Sequence, residues 1–276
     1  MIYFSELWGL KHICKLFSCA MAGTEDLLFS YAPISLADMG DIKLMNRLDT
    51  KYVMTKDSLD TFLSLAAGDY LVQDTDGCRS MPYHTIYLDT PDRLMYMMHQ
   101  SGRRVREKIR VRTYEHDGAT FLEVKNKNNK GRTDKKRMRV SSLEGIAEEG
   151  GDDFLGRYAW YRLDDVIPQL ENRFKRITLV NKGRSERLTI DRDIWFRDLS
   201  TGREFLLDNI VVVELKRDGR RESAAKAMLH SLHVRPSGFS KYIMGSIFTD
   251  PQLKHNRLKP RLRRIITINN KNNGRI

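Results

Sequence analysis

Apolar and charged side chains alternate with a period of two residues in several segments of this chain. The clearest segments are 108–112 and 123–127, where Ile109, Val111 and Val124 alternate with charged or polar residues. Because successive side chains of a strand point to opposite faces, each segment is predicted to be a strand with one apolar and one charged face. The charged face is almost purely cationic, and we call it the cationic face. It predicts a polyanionic partner.

The same pattern divides residues 31–250 into many strands and fewer helices. Strands are predicted at 47–53, 83–89, 104–115, 119–128, 135–140, 174–181, 186–193, 194–198, 204–208 and 210–216. Helical spacing predicts a lead-in helix within 31–46 and helices at 56–67, 92–100, 141–172, 220–232 and 241–248. Thr55 and Ser240 are the expected N-cap residues of two helices. The expected buried side of helix 56–67 consists of Leu59, Phe62, Leu63 and Leu65.

The excess of strands over helices predicts an α+β fold with an antiparallel sheet of about eight or nine strands. We expect this sheet to close into a β-barrel surrounded by helices. A closed barrel can turn Lys, Arg and Glu side chains into a charged, wet lumen and its apolar residues outward against the helices. An open sheet would leave the same charged face as an ordinary solvated surface. Residues 31–250 are therefore predicted to form a single barrel domain.

Composition locates the charge and the ends of this domain. The chain has 276 residues and a net charge of +12. Residues 101–140 carry 14 basic and 5 acidic side chains, whereas 251–276 carry 8 basic side chains and none that are acidic. We interpret 1–30 as an N-terminal extension that starts at Met1 or Met21, and 251–276 as a basic, disordered tail. The three cysteines lack metal-ligand spacing and imply no disulfide, so we expect a cytoplasmic protein. No segment is apolar enough to cross a membrane.

The cationic face supplies the candidate phosphate ligands. Arginine presents a fork to phosphate and lysine a compact point charge, so a row of both suits a linear chain of phosphates. The expected set is Lys51, Lys108, Arg110, Arg112, Lys125, Lys136, Arg184, Arg187, Lys216 and Lys241. On the strand at 135–140 the choice between Lys136 and Arg137 stays open.

Carboxylates that alternate onto the same strand face as these cations predict a bound divalent cation. Glu123, Asp191 and Glu214 share the face, and Mg²⁺ or Mn²⁺ binds to one or two carboxylates together with phosphate oxygens. Glu214 is the preferred metal ligand, because an isolated charge in its otherwise apolar strand needs a partner. Glu123 is the second candidate. The alternative for Glu214 is a buried ion pair with Lys216 or an arginine.

Six short motifs occur in an order that resembles a known family. They are Arg47-Leu-Asp-Thr-Lys-Tyr52, Tyr87-Leu-Asp-Thr-Pro91, Lys108-Ile-Arg-Val-Arg112, Phe121-Leu-Glu-Val-Lys-Asn-Lys127, Val213-Glu-Leu-Lys216 and Gly238-Phe-Ser-Lys-Tyr242. Over about residues 35–248 the chain resembles the polyphosphate polymerase domain of the vacuolar transporter chaperone (VTC) family, in its stand-alone bacterial form. That domain is one of the triphosphate tunnel metalloenzymes. The resemblance implies a tunnel barrel that binds ATP and, with Mn²⁺ or Mg²⁺, transfers the γ-phosphate to a growing chain of inorganic polyphosphate.

The resemblance also implies roles for individual residues. The catalytic residues that grip phosphates would be Lys51, Arg110, Arg112, Lys125, Arg184 and Arg187. Lys136, Ser240 and Lys241 would bind further phosphates, the last two at the start of a helix, and Glu214 would hold the metal. The motif does not decide between Lys136 and the adjacent Lys135. No inositol-phosphate sensor domain and no membrane segment is expected in this chain, and a membrane partner stays open.

Two other functions compete with the polymerase. One is a tripolyphosphatase or nucleoside triphosphatase built on the same tunnel. The other is a non-enzymatic module that binds RNA or DNA. We do not expect a nucleic acid partner, because no strand interleaves exposed aromatic side chains with the basic ones.

Overall fold

A computed structural model describes residues 23–39, 47–130, 132–219 and 222–272 of the protein. The predictions for residues 1–22, including the choice between Met1 and Met21, lie outside these ranges, as does the part of the lead-in segment at 40–46. The described chain forms two compact units. The first unit consists of three segments, which are the described residues before Met81, then Ile177–Thr189, and then Val213–Pro236. The second unit contains Met81–Arg176, Ile190–Val212 and the described residues from Ser237 onward.

Eleven strands in the described residues belong to one sheet. They are β1 (Ala32–Ile34), β2 (Arg47–Met54), β3 (Tyr70–Gln73), β4 (Met81–Asp89), β5 (Arg106–Tyr114), β6 (Ala119–Lys127), β7 (Thr133–Val140), β8 (Ile167–Asn181), β9 (Glu186–Asp198), β10 (Glu204–Leu207) and β11 (Val211–Asp218). The strand order is β2-β11-β9-β8-β4-β5-β6-β7, with β3 paired to β1 and β8, and β10 paired to β9. Every pair whose register is defined is antiparallel except β1–β3.

The predicted α+β class and antiparallel sheet are confirmed, but the closed barrel is not. Strands β2 and β7 end the strand order and do not pair with each other in the described residues, so hydrogen bonds do not close the sheet. Most side chains of β7 are exposed and several are charged. Exposed charge on a terminal strand discourages further pairing along its edge.

The helices of the described residues lie between and after the strands. They are α1 (Thr24–Phe29), α2 (Leu36–Met39), α3 (Lys56–Ala66), α4 (Leu94–Gln100), α5 (Gly151–Tyr158), α6 (Ala224–Ser231), α7 (Lys241–Thr249) and α8 (Lys259–Asn269). The predicted N-caps are confirmed, because the side chains of Thr55 and Ser240 accept hydrogen bonds from the backbone three residues later. None of the described helices combines the length and the apolar composition that crossing a bilayer requires.

One predicted buried position of α3 is wrong. Leu59, Phe62 and Leu63 are buried as expected, whereas half of Leu65 is exposed at 50%. Ala66 completes the buried side instead, because it lies seven residues after Leu59 and so returns to the same helix face.

Two larger predictions are also wrong. The helix predicted at 141–172 is reduced to α5 and two short 3₁₀ helices, Glu144–Ile146 and Leu163–Asp165, because the chain is extended from Ile167, and Ile167 and Pro168 pair with β4. Proline in a helix interior would remove a backbone hydrogen bond. The tail predicted to be disordered contains α8, where Pro260 lies in the first turn and Leu262 is buried.

The apolar faces of β5 and β6 form the core of the second unit. Ile109, Val111, Leu122 and Val124 are buried in one cluster, against which residues of α4 and α5 pack. Because side chains alternate along a strand, this packing leaves the cationic face on the other side of the same strands. The fold thus separates the two faces as their period-two pattern predicts.

Candidate anion-binding site

Strand β5 places three cations on one face of the second unit. Lys108, Arg110 and Arg112 alternate with the buried residues of the core. Across the β5–β6 ladder, Arg110 is directly opposite Glu123 and Lys108 is opposite Lys125. An opposite-charge pair at such a position stabilises the sheet, whereas a like-charge pair does not. The face therefore has an excess of positive charge that one carboxylate does not balance.

Glu123 is the shared counter-ion of Arg110 on β5 and Lys135 on β7. Its Oε2 atom lies 2.7 Å from Arg110 Nε, and its Oε1 atom forms an ion pair with Lys135. The side chain is 1% exposed. Burial alone would raise the pKa of this carboxyl, but Arg110, Arg112 and Lys135 outweigh burial and lower the pKa to about 2. A carboxylate held by two cations does not fit the predicted metal-binding role of Glu123.

The register of β6 with β7 decides between the two adjacent lysines. Lys135 is opposite Lys125 and contacts Glu123, so it lies on the cationic face. Lys136 is opposite Val124, on the other side of the strand, and forms an ion pair with Asp134 at 3.6 Å. The structure therefore places Lys135, and not Lys136, on the cationic face, in the position that was expected for Lys136.

Two guanidinium groups lie over a pair of stacked rings in the second unit. Tyr83 of β4 and Phe174 of β8 are opposite each other, with ring centroids 5.1 Å apart. The Cζ atoms of Arg112 and Arg176 lie 5.4 and 5.0 Å from the Tyr83 centroid. Each arginine is also within cation–π distance of Phe174. The rings form an apolar floor under two like charges.

Arg112 is the least compensated of these cations. It is 6% exposed, and its Nε atom donates to the Thr85 hydroxyl at 3.2 Å. Among the residues that the structure describes, no carboxylate forms an ion pair with it. Burial, followed by repulsion from Arg110 and Arg176, lowers the pKa of Arg112 to about 10. A bound anion would relieve this repulsion.

Asp191 holds two further cations of the cluster. Arg176 forms a two-pronged contact with it, Nε to Oδ1 at 2.6 Å and Nη2 to Oδ2 at 2.9 Å, and Lys241 forms an ion pair with the same Oδ2. Burial would raise the pKa of Asp191, but these two cations lower it. Lys241 Nζ also lies 3.9 Å from the Phe174 ring centroid. Sequence reasoning missed Arg176, although its parity with Phe174 on the strand predicted at 174–181 was a usable signal.

Hydrogen bonds fix the start of helix α7, where Ser240 and Lys241 lie. Lys108 Nζ donates to Ser240 Oγ at 2.9 Å. The next residue, Tyr242, donates from its hydroxyl to Asp89 Oδ2 at 2.5 Å. Asp89 is fully buried and also accepts from the backbone N–H groups of Met95 and Tyr96 in the first turn of α4. The motifs around Asp89 and Ser240 therefore meet in one hydrogen-bonded cluster that fixes the start of α7.

The first unit contains a smaller charged group. Glu214 of β11 lies 3.8 Å from Lys51 of β2 and 3.7 Å from Lys216. The Glu214 side chain is 22% exposed, so the ion pair with Lys216 that sequence reasoning left open is present in a partly solvated form. Arg187 is half-buried on β9, whereas Arg184 is an exposed turn residue with a φ of 52° and is not on a strand.

A metal would need ligands from outside the protein. Among the described residues, no three side chains of the His, Cys, Asp or Glu type lie close enough together to hold a metal ion. Glu214 fits a site of the Mg²⁺ type, in which one carboxylate is completed by phosphate and water oxygens. Its two lysine neighbours are also suited to those phosphates.

The second unit thus contains a cluster of five cations and two carboxylates. The cations are Arg110, Arg112, Lys135, Arg176 and Lys241, and the carboxylates are those of Glu123 and Asp191. Buried positive charge attracts anions strongly, because a low local dielectric weakens screening. The arrangement can bind several phosphate groups and stabilise negative charge that develops on their oxygens.

Comparison with known proteins identifies the family. The profile of the VTC domain matches residues 46–249. No curated protein matches the chain. Similar solved structures include a candidate adenylate cyclase from Vibrio parahaemolyticus (13% identity, TM-score 0.42, 73% of this chain and 99% of that chain). A candidate adenylyl cyclase from Hippeastrum, described as having a dominant triphosphatase activity, has 13% identity and a TM-score of 0.39 over 75% of this chain and 97% of that chain.

A conserved hypothetical protein from Pyrococcus furiosus is similar at 14% identity, with a TM-score of 0.37 over 70% of this chain and 97% of that chain. These structural similarities are too distant to inform function. The VTC profile, in contrast, spans well over half of the chain and includes β5, β6 and α7. The chain therefore belongs to the VTC domain family.

Proposed function

We propose that the protein is a metal-dependent polyphosphate polymerase that transfers the γ-phosphate of ATP to a growing chain of inorganic polyphosphate. The observation that supports this most directly is the cluster around Arg112, where five cations lie with only two carboxylates and Arg112 itself has no carboxylate partner among the described residues. A compact, buried excess of arginine and lysine suits a linear triphosphate better than a single phosphate. Membership of the VTC domain family supports the same reading.

In the proposed reaction, the terminal oxygen of the polyphosphate chain attacks the γ-phosphorus of ATP. A P–O bond forms there, the bond from the γ-phosphorus to the β–γ bridging oxygen breaks, and ADP leaves with the electron pair. Little covalent chemistry is asked of the protein, so its contribution is positioning and electrostatic stabilisation. Arg110, Arg112 and Arg176 would orient the phosphates with their forked donors, and Lys241 would neutralise charge.

The remaining residues have supporting roles in this proposal. A divalent metal bound at Glu214 would supply charge neutralisation on the phosphate oxygens. Lys51 and Lys216, the neighbours of Glu214, would bind phosphate oxygens that contact this metal. Glu123 is not assigned to the metal, because its oxygens already contact Arg110 and Lys135. It would instead hold both cations in place.

A triphosphatase is the second candidate function. The described contacts of the cationic cluster would hold a triphosphate equally well if water replaced the polyphosphate end as the attacking group. A nucleic-acid-binding module is less well supported. Tyr83 and Phe174 are buried beneath arginines, whereas a stacking platform for bases needs open ring faces.

One experiment separates these functions. Purified protein is incubated with ATP and either Mn²⁺ or Mg²⁺, and the products are examined for long polyphosphate on a gel and for ADP in solution. Polymer together with ADP supports the polymerase. ADP with free phosphate and no polymer would point to the triphosphatase. The absence of turnover with either metal, together with tight, salt-sensitive RNA binding, would overturn both enzyme assignments.

Glu214→Gln tests the metal-binding role. We expect metal-dependent turnover to fall by at least about 100-fold, because even the loss of an outer-shell partner of a metal ligand costs about 10–100-fold. Tripolyphosphate binding measured by calorimetry without metal should change little, because Lys51 and Lys216 keep their charges. The matched control is Glu222→Gln, an exposed position that makes the same charge change and should leave turnover intact. A large fall in melting temperature would instead assign Glu214 to a structural ion pair.

A further inference from the structure

Helix α8 lies beyond the region that matches the VTC profile, yet it is part of the second unit. The profile ends at residue 249, and α8 spans Lys259–Asn269. Its Leu262 and Ile265 side chains are buried, and Asn209 donates to the backbone carbonyl of Ile268 at 3.2 Å. The segment that precedes α8 is also held in place, because the Tyr96 hydroxyl donates to the carbonyl of Lys254 at 3.1 Å. The basic side chains of this segment are therefore presented by an ordered helix.

The cations of this segment are exposed and uncompensated. Residues 251–276 contain no acidic side chain. Between positions 251 and 265 the exposed cations are Lys254, Arg257, Lys259, Arg261, Arg263 and Arg264. None of these six forms an ion pair with a carboxylate in the described part of the chain. Arg261 and Arg264 are three residues apart on one helix face, where like charges repel each other.

Arg261 continues the cationic face of β5. Its guanidinium carbon would lie 3.3 Å from a Cβ atom added at Gly238, two residues before the Ser240 that Lys108 contacts. The half-buried His99 is also near this junction. Burial, then Lys108, Arg106, Arg261 and Lys127 in that order, lower the pKa of His99. Positive charge therefore extends from the cationic cluster to α8.

We propose that α8 is a binding surface for long-chain polyphosphate, with Arg261 and Arg264 as its principal ligands. The inference rests on the proposed function, in which polyphosphate is the product. Helix α8 has 11 residues, which makes it about 16 Å long. Only an anion with many charged units in a row can use cations along β5 and along this helix together. A substrate triphosphate, held by Arg110 and Arg112, does not need it.

The test is the double variant Arg261→Gln/Arg264→Gln in the full chain. Glutamine keeps the helical propensity, and Leu262 and Ile265 still pack. The control, Arg203→Gln/Lys226→Gln, makes the same charge change at two exposed positions outside α8. Affinities for long-chain polyphosphate and for tripolyphosphate are measured over a range of salt concentrations, together with ATP turnover.

Long-chain polyphosphate should bind about tenfold more weakly to the double variant. The slope of the logarithm of the binding constant against the logarithm of the salt concentration should become shallower by about 1.4, because each lost phosphate contact removes about 0.7 from this slope. Tripolyphosphate affinity and the initial rate of ATP turnover should be unchanged. The charge-retaining variant Arg261→Lys/Arg264→Lys should recover most of the long-chain affinity, which a purely structural role of the arginines would not allow.

Wild-type affinity of the double variant for long-chain polyphosphate would overturn the inference, as would an equal loss in the control. A selective loss of RNA affinity, with polyphosphate binding unchanged, would also overturn it and assign α8 to nucleic acid. If the wild-type protein makes no polymer from ATP but still binds long-chain polyphosphate through α8, the proposed polymerase fails while this binding surface is supported.

Discussion

Replacing Arg112 by methionine should make the ligand-free protein more stable and abolish tight triphosphate binding. The pKa of Arg112 is lowered from 12.5 to about 10 by burial and by Arg110 and Arg176. At 1.36 kcal/mol per pKa unit, the charged form costs the folded protein about 3 kcal/mol. The lowered pKa means that this cost is complete at every pH below about 10 and fades only as the pH rises towards 12.5.

Part of that cost is offset by contacts that methionine would lose. The contacts of Arg112 with the rings of Tyr83 and Phe174 together contribute roughly 1 kcal/mol. Its hydrogen bond to Thr85 contributes about 1 kcal/mol. Methionine retains an unbranched chain that can cover the rings. The net expectation is a gain of about 1 kcal/mol, which raises the melting temperature by roughly 2–4 °C.

The assay is thermal unfolding followed by circular dichroism in a phosphate-free buffer of low ionic strength, with and without tripolyphosphate. A ligand at 100 times its dissociation constant stabilises the wild-type protein by about 2.7 kcal/mol, and Arg112→Met should lose most of this response. The control is Arg173→Met on the opposite face of β8, where the arginine forms exposed ion pairs with Glu171 and Glu115. It should change stability little and keep the full ligand response.

The reasoning would be refuted if Arg112→Met melted below the wild type without ligand and still responded fully to tripolyphosphate. That result would make Arg112 a structural residue whose charge is already satisfied. A rise in melting temperature with a lost ligand response would support a site that is built at the expense of stability, as binding sites often are.

Two further substitutions test the surroundings of the site. Glu123→Gln should lower stability at neutral pH by about 3 kcal/mol, because the pKa of this carboxyl is lowered to about 2 by the cations it contacts. The stabilisation by Glu123 is present above pH 4.5 and is lost as the pH falls towards 2. In urea unfolding between pH 6 and 3, the free energy of unfolding should therefore fall less steeply with acid in the variant than in the wild type. An equally steep fall in both proteins would contradict the assignment. Leu262→Ala should loosen α8 by about 2–3 kcal/mol, seen as faster hydrogen exchange over Lys259–Asn269 and weaker long-chain polyphosphate binding with normal ATP turnover. Unchanged exchange would show that this side chain does not hold the helix.

Local patterns predicted the parts of this protein that depend on neighbouring residues. The alternation at 108–112 and 123–127 placed Arg110, Arg112 and Glu123 on one face, and the structure confirms that they share it. The N-caps Thr55 and Ser240 were also predicted, because a capping side chain bonds to backbone only three residues away. These features need no knowledge of distant contacts.

Other features were missed or predicted wrongly because distant segments decide them. The apolar residues within 141–172 fit helical spacing, yet Leu170 is paired with Tyr87 in a sheet. The basic segment 251–276 was interpreted as disordered, but burial of Leu262 and Ile265 supports a helix there. Short apolar runs fit either element, and their tertiary partners settle which one forms.

The sequence by itself determined the antiparallel strand pattern and the cationic face of β5 and β6, and it predicted a polyanionic partner. Only the tertiary structure decided that Lys135 and not Lys136 contacts Glu123, and that Arg176 joins Arg112 over the rings of Tyr83 and Phe174. The physical reason is that the face on which a side chain lies is set within one strand, whereas the attraction of a charged side chain for an anion depends on its burial and its counter-ions. Those come from strands and helices far apart in the chain.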